Sequence, residues 1–238
     1  MIPIRDSIPS RTTPYVSYTI LGLCVLVHIA QQWTRLGDGS FLLQWAFVPS
    51  YLISPAAWLQ VGPVHVFGSL ITSQFLHGDL LHLASNMLFL WVFGDNVEDR
   101  LGHARFAVFY LLCGIAAAVA QSLLSWFPEI PMLGASGAIA GVLGAYFVLF
   151  RTAWVRSVIL FFIIPFFIEI PALIFIGLWF ILQTVNALYT LGPVPASGGP
   201  GVAFGAHAAG FIAGILLLKL LLPSRRHPHA RVVRWEVD

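Results

Sequence analysis

"GASGAIAGVLGAYFVLF", residues 134–150, carries no charged side chain and is built mostly from glycine, alanine and aliphatic residues. A helix that crosses a bilayer needs about 20 mostly apolar residues. This run, with its flanks, meets that need, and its small residues fall in a pattern. Ser136, Gly137, Ala140, Gly141 and Gly144 sit at offsets that share one helical face. Small residues at such spacing let two membrane helices approach closely. The stretch therefore reads as a membrane helix made to be crossed by another, with one serine at its start.

The rest of the chain agrees with that reading. Of 238 residues, 58% are hydrophobic and only 9% are charged, whereas soluble domains average about 25% charged. Mean hydropathy is +0.87. The fold class is an all-α membrane protein, and the spacing predicts six spans near 15–33, 79–97, 104–125, 134–150, 171–190 and 203–222. Segment 157–170, "SVILFFIIPFFIEI", is apolar but broken by Pro165 and carries Glu169. It reads as an interfacial or re-entrant lead-in to the fifth helix, with a seventh span as the alternative. Residues 34–78 form a long aromatic-rich loop able to lie in the membrane interface. Residues 191–202, "LGPVPASGGPGV", should be flexible.

Orientation follows from the positive charges. With six spans, Arg5, Arg11, Arg100, Arg105, Arg151, Arg156, Lys219, Arg225, Arg226, Arg231 and Arg234 share one side, and only Arg35 lies opposite. That bias puts both termini in the cytoplasm and the 34–78 and 191–202 loops outside. The opening "MIPIRDSIPSRTTPY" has no short apolar core with a small-residue cleavage site, so no signal peptide is expected. With no transit peptide either, a bacterial or archaeal plasma membrane is the expected location. Cys24 and Cys113 lie inside apolar runs with no zinc-type spacing and are assigned no disulfide or redox role.

Polar groups inside a membrane are costly, so each is a functional candidate. They are His28, His82, Asn86, Ser136, Gln183, Asn186 and His207. A serine in a membrane helix usually bonds a carbonyl one turn back, and a lone histidine usually finds a backbone partner. Topology singles out four. His82 and Asn86 on the second helix, Ser136 on the fourth and His207 on the sixth all lie roughly 3–10 Å below the outer boundary. His28 is read as near the inner end of the first helix, apart from them. On the sixth helix, His207, Gly210 and Gly214 share a face. Its close crossing with the Gly137/Gly141 face would bring the Ser136 hydroxyl within reach of His207, as an activated serine nucleophile requires. The Ser136 amide, Asn86 and His82 would supply oxyanion donors. The outer halves of these helices hold no carboxylate except Asp79, so a Ser–His dyad is expected. A packing contact or neutral hydrogen bond would then orient the histidine.

"GASG", the downstream "AHAAGFIAG" and the upstream "HGDLLHLASNMLFLWVFGDNVEDRLG" resemble the rhomboid intramembrane serine proteases, over about residues 70–222. The resemblance implies Ser136 as nucleophile, His207 as general base, and His82 and Asn86 as oxyanion support. It also implies a structural Glu98 between Gly94 and Gly102, and a six-helix bundle with a membrane-embedded outer loop after the first helix. Many relatives carry an aromatic four residues after the serine to stack on the histidine, where this chain has Ala140. Phe204 or a neighbouring helix would then do that work. The Trp–Arg pair of some relatives' first outer loop is missing.

The layout expected is a cytoplasmic segment 1–14, a six-helix catalytic domain 15–222 and a basic cytoplasmic tail 223–238. The function expected is serine-type endopeptidase action on transmembrane protein substrates in the lipid bilayer, with no metal, no cofactor and no nucleic acid. The substrate would enter past the fifth helix, with 191–202 as a mobile cap. A catalytically inactive rhomboid-like binding or chaperone protein is the alternative. A transporter would instead place broken helices and charges near the midplane.

Overall fold

In the computed structural model, the residues described are 1–35, 40–125, 128–190 and 203–223. The expected cap at 191–202 and the basic tail beyond Pro223 lie outside them. Strand β1 (Ile2–Asp6) precedes helix α1 (Tyr15–Arg35). Four short helices follow: α2 (Ser40–Trp45), α3 (Pro49–Ile53), α4 (Pro55–Val61) and α5 (Pro63–Thr72). The last three each begin on a proline, which suits a first turn and ends whatever precedes it. The expected loop is thus a string of helical turns.

Helix α6 (Leu80–Leu101) is capped by Asp79, whose side chain accepts from the His82 N–H at 2.8 Å. Gly102 separates it from α7 (His103–Leu124). Its φ of +80° is a conformation glycine adopts without the strain a side chain would add. Helix α8 (Ser136–Leu149) comes next, then strands β2 (Trp154–Phe161) and β3 (Ile164–Pro171), and helices α9 (Ala172–Thr190) and α10 (Phe204–Leu221). Helix α8 packs against α6, α7, α9 and α10, and every residue from Ala138 to Tyr146 is buried.

Among the described residues, four helices are long and apolar enough to cross a membrane: α1, α7, α9 and α10. Helix α6 is long, but its last turns carry Asp95, Glu98, Asp99 and Arg100. Helix α8 has 14 residues, a length of about 21 Å against a hydrocarbon core of about 30 Å.

Two expectations are corrected. The chain is mostly helical but not all-α, because β1, β2 and β3 form a three-stranded antiparallel sheet in that order. Segment 157–170 is no re-entrant lead-in: it forms most of the β2–β3 hairpin, with Arg156 opposite Glu169 and Phe161 opposite Ile164. Its β-branched and aromatic residues favour strand. Pro165 is tolerated because β3 is an edge strand.

Candidate active site

The expected site residues come from three elements, α6, α8 and α10. Asp79 holds the first turn of α6, its carboxylate accepting the His82 N–H. His82 is half-buried, and Asn86, one turn on, is buried, its side-chain nitrogen without a partner among the described residues. An unsatisfied buried donor is uncommon in a native fold and calls for an explanation.

Ser136 is the first residue of α8, after Ala135 at its N-cap. The first hydrogen bond of that helix is Ile139 N–H to Ala135 C=O at 2.9 Å, so the Ser136 amide has no intrahelical acceptor. Gly134 steers the chain into this start. Its φ is +123°, and a Cβ there would lie 2.8 Å from the His82 ring and 3.7 Å from Ser136 Oγ. The missing side chain thus leaves the imidazole and the hydroxyl together on one side of the backbone. The approach is fixed by Gly134 N–H to Ser73 C=O (2.9 Å) and by a bridge between Phe47 and Met132.

Helices α8 and α10 meet backbone to backbone. A Cβ on Gly210 would lie 2.2 Å from the Gly137 carbonyl oxygen, and one on Gly214 would lie 2.1 Å from that of Gly141. Ser136 precedes Gly137, and His207 stands one turn before Gly210, so both sit at one level of the crossing. Gly137 and Gly141 serve a second neighbour as well: Cβ atoms there would meet Ala117 and Cys113 of α7.

The buried His207 ring bonds through Nδ1 to Gln183 Oε1 of α9 at 2.7 Å. Trp179 lies 6.0 Å away at 30°, and Phe204 packs edge-on at 6.4 Å. Among the described residues no hydrogen bond joins His207 to Ser136 Oγ. Such bonds are often long in unliganded enzymes and tighten with substrate. Asn186 is half-buried on α9, three residues beyond Gln183.

His28 does not stand apart, contrary to expectation. It lies near enough to His77 and His82 to interact electrostatically with both. Gln31, one turn on, brackets the His77 backbone, donating to its carbonyl (2.9 Å) and accepting its N–H (3.1 Å). His77 itself escaped the sequence reading because it precedes the helix. It is fully buried, its ring packs edge-on to His82 at 5.2 Å, and burial, with His82 beside it, pushes its pKa down to about 4. Glu98, at the far end of α6, is also fully buried. It accepts from Val16 N–H (2.9 Å), Ser17 N–H (2.8 Å) and Ser17 Oγ (2.7 Å), and it pairs with His103 at 2.6 Å. It therefore caps α1 as well as holding the turn that follows α6. Among the described residues, no group of three or more His, Cys, Asp or Glu is arranged to hold a metal ion.

A family model described as the Rhomboid domain matches residues 63–224. Rhomboid protein 1, mitochondrial, of Saccharomyces cerevisiae is 35% identical over 144 residues, covering 57% of this chain and 37% of that protein. Rhomboid protease GluP of Bacillus subtilis is 45% identical over 76 residues, covering 32% of this chain and 14% of that protein. Rhomboid protease GlpG of Serratia proteamaculans is 26% identical over 200 residues, covering 83% of this chain and 59% of that protein. This chain thus spans less than two thirds of the length of each of these relatives.

Proposed function

The chain belongs to the rhomboid family, and from that premise we propose that it is an intramembrane serine endopeptidase working through a Ser136–His207 dyad. His207 takes the Ser136 proton, and Ser136 Oγ attacks the carbonyl of a locally unwound transmembrane substrate. An acyl-enzyme forms as the amine leaves with the proton, and water then releases the acid. His82, Asn86 and the Ser136 amide hold the oxyanion. Each such donor contributes typically about 3 kcal/mol to the transition state. Gly137, Gly141, Gly210 and Gly214 carry the crossing, and Glu98 braces the opposite end.

The observation that carries this reading is the α8–α10 crossing. Gly210 rests against the Gly137 carbonyl, one residue from Ser136 and one turn from His207. The unpartnered Asn86 nitrogen supports the oxyanion role, since it is a donor awaiting an acceptor. The wider layout is part of the proposal: six spans with α6 and α8 among them, residues 15–222 as the catalytic domain, and both termini cytoplasmic. The distribution of Lys and Arg, 11 of 12 on one side, supports that orientation. A plasma-membrane location is supported by the bacterial GlpG relative, which aligns with more of this chain than the mitochondrial one does.

The test uses the full chain in proteoliposomes with a single-pass model substrate. Ser136→Ala is expected to abolish cleavage while the fold persists, and a fluorophosphonate probe should label Ser136 only when His207 is present. Cleavage by folded Ser136→Ala would overturn the nucleophile assignment. Absence of labelling in active-site-intact protein would favour a binding protein instead.

A further inference from the structure

Strands β2 and β3 are joined by only two residues, Phe162 and Ile163, which are 87% and 92% exposed. Phe162 has φ +55°, in the left-handed region. Two-residue hairpin turns normally place Asn, Asp or Gly at such positions, and a bulky residue there costs of order 1 kcal/mol. Here a strained turn presents two large apolar side chains at its apex.

From Val158 to Ile168 every residue is apolar. Successive strand residues point to opposite faces, yet Leu160, Phe161, Phe166 and Phe167 are all exposed. Both faces of the distal hairpin are therefore apolar. Charge is confined to its root, where Arg156 stands opposite Glu169 and lies over the Phe167 ring at 5.4 Å. Strand β1 pairs with β2 only as far as Val158, so among the described residues no third strand covers the tip.

We propose that the β2–β3 hairpin is a membrane anchor, with its Phe162–Ile163 apex set into the lipid leaflet at the end of the bundle opposite Ser136. Three observations select lipid as the occupant. An apolar surface on both faces and around the turn needs a surrounding medium, whereas a protein partner would cover one face. Strand β3 runs without a break into α9, one of the membrane-long helices, whose Leu173, Ile174 and Leu178 are exposed. The charged root marks where the apolar surface ends. The depth is shallow, because the outer edge of β3 has unpaired backbone groups that the hydrocarbon centre would not satisfy. The hairpin lies in the headgroup–acyl boundary and does not cross.

The test needs no catalytic activity and rests only on the chain being a membrane protein. Ile163→Cys in the full chain is labelled with an environment-sensitive fluorophore; Cys24 and Cys113 are both buried and compete little. The protein is placed in phosphatidylcholine–phosphatidylglycerol vesicles carrying nitroxide lipids, with the spin label either near the headgroup or deep in the chain. The shallow nitroxide is expected to quench most strongly, and aqueous iodide on both sides only weakly. Iodide quenching without nitroxide quenching would overturn the proposal, and stronger quenching by the deep nitroxide would overturn the shallow placement. A second variant, Phe162→Asn with Ile163→Gly, suits the turn and keeps the hairpin while removing the apex. In that background a label on Leu160→Cys should lose severalfold of its nitroxide quenching relative to the same label beneath an intact apex. Unchanged quenching would show that the apex does not hold the hairpin in lipid.

Discussion

Ala140 leaves His207 without an aromatic partner on α8, and the packing explains why. Its Cβ is 3.3 Å from where a Gly210 Cβ would stand, so a ring at 140 would force α8 and α10 apart. The contact that orients His207 comes instead from α9, through Gln183 Oε1 at Nδ1. An acceptor at Nδ1 keeps the proton there and leaves Nε2 free to take one from a serine. Gln183 is thus a positioning residue for the proposed base. Gln183→Leu removes the acceptor at similar size. It is expected to lower kcat by about tenfold with KM nearly unchanged, the pattern of a lost transition-state contact. Gln183→Glu retains the acceptor and should recover most of the rate. Equal kcat for Gln183→Leu and the parent would remove Gln183 from the mechanism.

At the scale of elements, the α8–α10 crossing has no slack. The group nearest a Gly214 Cβ is the Gly141 backbone, with its carbonyl oxygen at 2.1 Å and its Cα at 2.6 Å. Backbone cannot rotate away as a side chain can, so Gly214→Ala must separate the helices. Overpacking of this kind costs about 1–3 kcal/mol. Thermal unfolding in detergent should report that loss, and fluorophosphonate labelling should slow because the crossing carries the proposed dyad. Gly22→Ala on α1 is the control. Among the described residues no atom lies within 4 Å of a Cβ there, and the change should be neutral or stabilising by up to about 1 kcal/mol. Equal loss from both variants would mean that helix propensity, not contact, governs. The small-residue face was legible in the sequence because its spacing is a property of one helix. Which neighbour each glycine meets was not, since Gly137 and Gly141 also admit α7. The 157–170 hairpin was illegible for a related reason. A short apolar run fits helix or strand alike, and its pairing partner, β1, lies about 150 residues away. His28 stands toward the C-terminal end of α1, the end that leads into the 34–78 loop; Gln31, one turn on, contacts the segment before α6.

Across the whole molecule, the end remote from Ser136 is built around buried acids. Glu98 caps α1, and Asp6 of β1 joins the sheet to the bundle by accepting from Asn96 Nδ2 of α6 (2.8 Å) and from the Tyr146 hydroxyl of α8. The helix that presents Ser136 at one end is thereby tied to the N-terminal strand near the other. Burial pushes the Asp6 pKa up to about 7 from 3.8, against the lowering effect of the Tyr146 bond, with Asp95 and Arg5 as its charged neighbours. The folded chain therefore keeps a proton that the unfolded chain releases above about pH 4. The stability contributed by Asp6 is complete below that point and is lost as pH rises through about 7. His77 acts in the opposite direction, because its lowered pKa makes stability rise between about pH 4 and 6.5. A single pH curve mixes the two, so the informative quantity is the difference between parent and Asp6→Asn. The asparagine keeps an acceptor for both donors and cannot ionise. Its thermal midpoint, relative to the parent, is expected to climb between about pH 4 and 7 and to level off above that, as the parent alone ionises a buried carboxyl. Parallel curves across that range would show that Asp6 keeps one charge state in folded and unfolded chains alike. The strand–bundle junction would then be held by packing without a titrating group.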